Sequence, residues 1–407
     1  MDDATALLIT VTGRDRPGLT TGLCDVLADH GARIIDMEQV VIRERLVLGI
    51  LVSLGSDEEP VRQAVTAKAT ALGVNAEFEA MTARRPGGDP PRNYVTVLGQ
   101  PLGARAIGAV TGRIAGCGAN IERIVRLSRY PITSFELLVS GGDQSRLRAE
   151  LATEAAAQRV DVAIQRATLY RRAKRLIVMD VDSTLVQGEV IELLAAQAGC
   201  GQEVAAITEQ AMAGELDFEQ SLRRRVALLE GLPAQALVDV RDHLVLTPGA
   251  RTLVRTLKRL GFVLAIVSGG FTQITDDLQQ RLGIDYAHAN TLEIVDGRLT
   301  GGLVGPVVDR AGKAAALEGF AAQAGVPLSQ TVAVGDGAND LDMLDRAGLG
   351  IAFNAKPVVR QAADTAVSVP YLDAVLFLLG ITREEIEAAD AEDPSYRSSP
   401  LQPVPDA

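Results

Sequence analysis

Two carboxylates separated by a single residue, Asp180 and Asp182, close an apolar run in LIVMDVDSTLV, residues 176–186. In an extended chain residues two apart point the same way, so the pair would repel unless a cation or a shared proton relieved it. Asp182, Ser183 and Thr184 could instead only turn the chain and cap the next helix, because Thr184 and Gln187 stand at capping-box spacing. A third carboxylate, Asp336 in GDGAND at 335–340, shifts the balance toward chemistry. It follows another apolar run, on a glycine-rich turn where backbone can approach a ligand closely. Carboxylates with few other ligands suit a hard cation that keeps several waters, and Mg²⁺ is the expected ion. The chain has three histidines, none near these motifs, so zinc and copper sites are not expected.

Such residues need elements to collect them. Four apolar runs end in polar residues: RLIVMDVDST (175–184), FVLAIVSGGF (262–271), TVAVGDGAND (331–340) and LGIAFN (349–354). Continuous apolar runs separated by helical segments indicate a parallel sheet covered on both faces. Ligands bind such sheets beyond the carboxyl ends of the strands. Asp180, Asp182, Ser268, Gly269, Asp336 and Asn339 all fall at those ends, so one site is expected to gather them. The segment 183–267 is too long for a simple crossover, and about 188–245 reads as helices forming a lid over a small-molecule site.

The first 170 residues read differently. LLITVTGRDRPGLTTGLCDVLADHGARI (7–34) aligns without a gap on YVTVLGQPLGARAIGAVTGRIAGCGANI (94–121), an offset of 87 residues. That period suits a duplicated domain rather than a solenoid. Each copy reads as strand, helix, strand, strand, helix, strand. The expected organisation is a first unit over 1–82, a linker over 83–92 rich in Pro, Gly and charge, a second unit over 93–170, a catalytic domain over 171–387 and a disordered tail over 388–407. YRRAKR (170–175) is expected to be a solvated joint, since no aromatic residues interleave its charges.

Composition sets outer limits. The 407 residues carry a formal net charge of −12, which argues against a general affinity for nucleic acid or an anionic membrane. Cys24, Cys117 and Cys200 are odd in number and far apart, forming neither a metal spacing nor a disulfide framework. The start lacks the features of a secretory signal and no run of 18 apolar residues occurs, so a cytoplasmic protein is expected.

In order along the chain, DVDST, SGG after a strand, the lysine of DRAGKAAAL and GDGAND resemble the four motifs of the haloacid dehalogenase (HAD) superfamily of phosphotransferases. DVDSTLVQGEVIELLA, GELDFEQSLRRRVALLEGL, VSGGF and VAVGDGANDLDML resemble more narrowly the phosphoserine phosphatases within it, over about 176–370. The duplicated units resemble ACT domains, βαββαβ modules that commonly bind amino acids. The resemblance implies a doubly wound, HAD-like catalytic domain with a helical cap, preceded by two α+β, ferredoxin-like ACT domains. It also implies Mg²⁺-dependent hydrolysis of O-phospho-L-serine to L-serine and phosphate, the last step of L-serine biosynthesis. Asp180 would be the nucleophile, forming an aspartyl phosphate, and Asp182 the acid and then base. Mg²⁺ would be held by the side chains of Asp180 and Asp336 and the backbone carbonyl of Asp182. Ser268, the Gly269 N–H and Lys313 would hold the phosphate, and Asn339 would position the phosphoryl group or the water.

A small amino acid needs one anion for its ammonium and one cation for its carboxylate. Glu189 is the candidate for the first. For the second, FEQSLRRRV offers three arginines, of which Arg225 lies seven positions after Phe218 and so about 20° from it around a helix, on the apolar face. Arg223 and Arg224 are expected to point elsewhere. In the ACT-like units, Gly18 and Gly108 are candidate regulatory positions near helix starts, where backbone N–H groups could meet the carboxylate of an amino acid effector. A homodimer through these units is expected by resemblance. The alternatives are a phosphatase of another small phosphomonoester, selected by the same lid, and a sensor whose catalytic part is vestigial. A dehalogenase would need neither Asp182 nor a metal.

Overall fold

In the first 55 residues alternate apolar positions make two strands of one core: Leu7, Ile9 and Val11 in β1 (Thr5–Arg14), and Leu46, Leu48, Ile50 and Val52 in β3 (Arg45–Ser53) are all buried. The period of two puts these side chains on one face. Helices cover that face through residues four apart, Leu19, Leu23 and Leu27 in Leu19–Asp29, and Val61, Val65 and Ala69 in Glu59–Ala71. Each such Leu, Ile or Val side chain, fully buried, contributes roughly 1.5–3 kcal/mol. With β2 (Arg33–Ile42) and β4 (Val74–Thr82), the antiparallel sheet runs β2-β3-β1-β4. The computed structural model describes residues 5–55, 57–82, 90–212 and 215–393, so most of the expected linker lies outside the described residues.

The chain divides into two units, Met1–Pro90 and Pro91–Ala407. The second opens with another copy of the same design. Strands β5 (Arg92–Gly99), β6 (Ala119–Ser128), β7 (Thr133–Gly141) and β8 (Asp161–Arg166) order as β6-β7-β5-β8, with helices Ala104–Gly116 and Gln144–Gln158 on one face.

A seven-stranded sheet follows. Its strands are β9 (Leu176–Met179), β10 (Val263–Phe271), β11 (Tyr286–Val295), β12 (Arg298–Val304), β13 (Thr331–Gly335), β14 (Gly350–Phe353) and β15 (Thr365–Val367), in the order β12-β11-β10-β9-β13-β14-β15. All pairs are parallel except β11 with β12. The four apolar runs of the sequence are β9, β10, β13 and β14. β9 lies between β10 and β13, fourth of the seven strands, with all four of its residues buried.

The second ACT unit shares a core with this sheet: Leu98, Leu127, Ile132 and Ala163 cluster with Val367, Leu376 and Leu378. Asp161 accepts a hydrogen bond from the Ser368 N–H at 2.6 Å, and Gln165 donates to the Leu378 carbonyl at 2.8 Å. Two expectations are corrected here. YRRAKR is not a solvated joint, because Arg171 and Lys174 are only 5% and 6% exposed; Arg171 pairs with Glu136 and lies over the Tyr94 ring. Disorder does not begin at residue 388. The helix Arg383–Glu392 carries a Thr382–Glu385 capping box, and Asp390 takes two hydrogen bonds from Arg255 and one from Arg259. Ile386 is buried in the core, and these ion pairs to the body add to its packing. The rest of the expected tail, 394–407, lies outside the described residues. Among the described residues no helix is long and apolar enough to cross a membrane.

Candidate active site

Strand β9 runs parallel to β10 and β13 in matched register, Leu176 facing Val263 on one side and Thr331 on the other. Asp180 extends this ladder by one bond, its N–H donating to the Val334 carbonyl at 2.9 Å. Its carboxylate therefore emerges where the pairing of β9 with β10 and β13 ends. A wide turn over Val181–Leu185 follows, closed by Val186 N–H to the Val181 carbonyl at 3.0 Å. Within it Ser183 adopts φ of +58°, a left-handed conformation costly for a residue with a side chain. The turn brings Asp182 back to the site, where its carboxylate accepts from the Val190 N–H at 2.8 Å and from the Ser268 hydroxyl at 2.9 Å. The Thr184 hydroxyl donates to Asp336 at 3.2 Å, so it joins the carboxylate cluster rather than a capping box with Gln187.

Lys313 arrives from the first turn of Arg310–Ala324, a helix whose N-terminus is capped by Asp309 accepting from the Gly312 N–H. The lysine is fully buried and donates to Asp180 at 2.6 Å and to Asp340 at 2.7 Å. Burial alone would lower its pKa, but Asp180 and Asp340 outweigh that and hold it raised, so the ammonium stays charged. Asp340 is a site residue that the sequence reading missed. The signal was present as the fourth position after Asp336 in GDGAND, but nothing in the sequence says that Lys313 is buried and needs a second carboxylate.

The carboxylates are crowded. Burial, then Asp340, Asp182 and Asp336, push the Asp180 carboxyl well above its ordinary range against the pull of Lys313. Burial and Asp340 push Asp336 up to about 6. Oxygens of Asp180, Asp336 and Asp340 lie within 4.8 Å of one another. Asp340 has both oxygens engaged, one by Lys313 and one by the Gly337 N–H at 2.9 Å. Asp180 and Asp336 are thus the carboxylates left for a cation. An all-oxygen donor set with more negative charge than one ammonium can offset fits a hard divalent ion.

The helical cap completes the enclosure with Val190–Ala198, Gly201–Met212, Phe218–Ala227 and Gln235–His243. A cavity of about 90 Å³ is lined by Asp180, Asp182, Lys313, Asp336 and Asn339 below, and by Glu189, Phe218 and Arg225 from the cap side. Arg225 is half-buried there, whereas Arg223 and Arg224 are exposed. Its Nε is buried without a hydrogen-bond partner, an unusual cost in a folded chain. Burial pushes Glu189 up to about 7, helped by the charges of Asp182 and Asp336 and opposed by Arg225. Gly269 and Gly270 let these parts meet: a Cβ on Gly269 would lie 2.9 Å from the Phe218 ring, and one on Gly270 2.9 Å from Asp182. Ser268 does not line the cavity; its hydroxyl is occupied by Asp182 and by the Gly270 N–H.

The two regulatory candidates lie apart from this site. Gly18 is the N-cap of Leu19–Asp29, with φ of +89°, at a helix start as expected. Gly108 is not at a helix start: Gly103 caps Ala104–Gly116, and Gly108 is its fifth residue, beyond the four amides that a helix leaves free.

Known proteins share this arrangement. Residues 177–345 match the haloacid dehalogenase-like hydrolase family, and residues 5–79 and 93–165 each match an ACT domain family. The chain is 59% identical over 404 residues to a phosphoserine phosphatase of Streptomyces coelicolor, covering 98% of each chain. It is 55% identical over 397 residues to phosphoserine phosphatase SerB2 of Mycobacterium tuberculosis, covering 96% of this chain and 97% of the other. A crystal structure of a probable phosphoserine phosphatase from Vibrio cholerae superposes with a TM-score of 0.57 at 39% identity, covering 74% of this chain and 89% of that one. With two ACT domains ahead of a HAD-like hydrolase domain, and such identity over nearly its whole length, the chain belongs to the phosphoserine phosphatase family.

Proposed function

We propose that this chain hydrolyses O-phospho-L-serine to L-serine and phosphate through a phosphoryl group carried on Asp180, with Mg²⁺ as its metal. The observation that carries the substrate reading is Arg225, whose buried Nε lacks a partner in the same cavity as Asp180 and Lys313. A substrate carboxylate would satisfy it with charge-assisted hydrogen bonds. Glu189, which lines the same cavity, would take the ammonium, and the ammonium would hold that carboxylate ionised despite its burial.

Asp180 would attack phosphorus while Lys313, fixed by Asp340, offsets charge on both partners. Asp182, oriented by Val190 N–H and the Ser268 hydroxyl, would protonate the leaving serine oxygen and later take a proton from the attacking water. The Gly269 N–H and Asn339 would hold and position the phosphoryl oxygens. Asp180, Asp336 and the Asp182 carbonyl would hold Mg²⁺, which when bound neutralises the charge that otherwise keeps a carboxylate from approaching a phosphate dianion. The Ser268 hydroxyl would act on the phosphate only after giving up Asp182; its firmer role is to orient that acid.

The ACT units would bind an amino acid effector, L-serine being the one whose level reports on the reaction, with Gly18 at the candidate helix start. A homodimer through these units is supported by two edge strands that keep large apolar side chains exposed, Ile34, Val40 and Ile42 on β2 and Ile124 and Val125 on β6. Three free cysteines suit a reducing cytoplasm.

The test is phosphate release from phosphoserine and from a small aryl phosphate, each with Mg²⁺ and with chelator. Turnover is expected with Mg²⁺ only, and kcat/KM is expected to favour phosphoserine. Equal use of both substrates would remove the amino acid from the reading.

A further inference from the structure

The joint between the second ACT unit and the catalytic sheet contains a second cavity, of about 290 Å³. Its walls include Gln144, Arg148 and Arg166 from the ACT unit, Arg171 and Lys174 from the connecting segment, and Asp364 from the catalytic domain. Four cations and one carboxylate line it, in a chain whose net charge is −12.

The pairing within the cavity leaves a surplus. Arg148 pairs with Asp364 at 3.1 Å, and Arg171 pairs with Glu136. Among the described residues, Arg166 and Lys174 have no carboxylate partner; Arg166 donates to the Gln144 side chain at 2.6 Å and Lys174 to the Ser329 carbonyl at 2.8 Å. Lys174 is 94% buried by its 6% exposure, and a carbonyl satisfies only one of its three N–H groups. Arg171 is as deeply buried, and its Nε has no hydrogen-bond partner at all. Burial lowers the Lys174 ammonium to about 8, with only Asp364 pulling the other way. Buried cations without counter-charges cost stability unless something neutralises them. Lys174, buried without a carboxylate in hydrogen-bond reach, Arg166 at the exposed rim and the spare N–H donor of Arg171 line one space and match a compact oxyanion of charge −2.

We propose that this cleft binds a phosphoryl dianion, either inorganic phosphate or a phosphomonoester, between the second ACT unit and the catalytic domain. Lys174 and Arg166 supply the charge and Arg171 its free Nε–H. Because the walls belong to both domains, the bound dianion ties them together, and anything that changes their docking changes its affinity in equal measure. None of these residues lines the catalytic cavity.

The experiment is equilibrium dialysis of the full-length chain against radiolabelled inorganic phosphate, for wild type, Lys174→Met and Arg166→Gln. Wild type should bind one more phosphate per chain than Lys174→Met. Arg166→Gln, at an exposed position where folding is not at risk, should weaken that extra site by about tenfold or more. Both variants should keep the phosphoserine kcat of wild type in phosphate-free buffer. The two sources separate in the Asp180→Asn background: phosphoserine displacing the label from the cleft extends the ligand to phosphomonoesters, and failure to displace it restricts the ligand to free phosphate. Identical phosphate stoichiometry and affinity in wild type and Arg166→Gln overturns the proposal, whatever becomes of Lys174→Met.

Discussion

Arg225 and Asp182 are proposed to carry different halves of the chemistry, and their substitutions should separate those halves. Arg225→Ala should remove the proposed charge-assisted contact to the substrate carboxylate, worth about 1.5–3 kcal/mol, which is roughly 10- to 100-fold in kcat/KM. The loss should fall on phosphoserine and spare a small aryl phosphate, because the contacts around Asp180, Lys313 and Asp336 are untouched; equal losses on both substrates would count against the carboxylate role. Asp182→Asn keeps the backbone carbonyl but loses the proton relay, and should cost roughly 10²–10⁴ in turnover of phosphoserine. An activated aryl phosphate should suffer less in the first step. At this scale much of the site was legible. Asp180, Asp182 and Asp336 stood out as carboxylates ending apolar runs, and helical geometry set Arg225 apart from Arg223 and Arg224. Asp340 was not legible, since its role depends on the burial of Lys313. Nor was the engagement of Ser268 by Asp182, which depends on how the turn around Ser183 folds back.

Strand ends position everything, so a small change there should matter more than its chemistry suggests. A Cβ on Gly335, at the end of β13, would lie 2.4 Å from the Asp340 carboxyl carbon. Gly335→Ala should therefore cost about 1–3 kcal/mol by overpacking and depress activity by displacing the partner of Lys313. Gly319→Ala, in the middle of Arg310–Ala324 with nothing within 4 Å of the new Cβ, should be neutral or stabilising by up to about 1 kcal/mol. Thermal unfolding of both variants checks the contrast, and comparable destabilisation would contradict it. The connecting segment offers a pH test. The Lys174 pKa of about 8 lies below the ordinary 10.5, so the unfolded chain binds the extra proton between those values. Stability should rise with pH across that window, by at most about 3 kcal/mol, and the burial penalty is present in full below it. Urea unfolding in phosphate-free buffer at about pH 7.5 and 10 should show the rise in wild type and its absence in Lys174→Met. The strands and their parallel order were readable from apolar runs. The burial of this charged segment was not, because its partners Glu136, Tyr94 and Ser329 are distant in sequence.

At the scale of the whole chain, the division falls after Pro90 rather than between the ACT pair and the catalytic domain. The internal repeat showed the two ACT copies but could not show that the second one shares its core with the catalytic sheet. A chain beginning at residue 91 should therefore fold and turn over phosphoserine, whereas one beginning at residue 171 should lose several degrees in Tm, since it exposes the apolar surface that packs on Leu98, Leu127 and Ile132. Serine dependence and solution mass, compared between the full chain and the 91–407 form, test regulation separately; unchanged values would leave the first ACT unit without its proposed part. The central claim is that phosphate passes through Asp180, and the most direct measurement is acid-quench trapping on the full-length chain. Mixed with ³²P-labelled phosphoserine and Mg²⁺, the protein should carry label in the peptide that contains Asp180. The label should vanish in Asp180→Asn and in chelator, and should chase to free phosphate on longer incubation. Turnover of phosphoserine with no label on the protein, or with label on a peptide other than that of Asp180, would contradict the account.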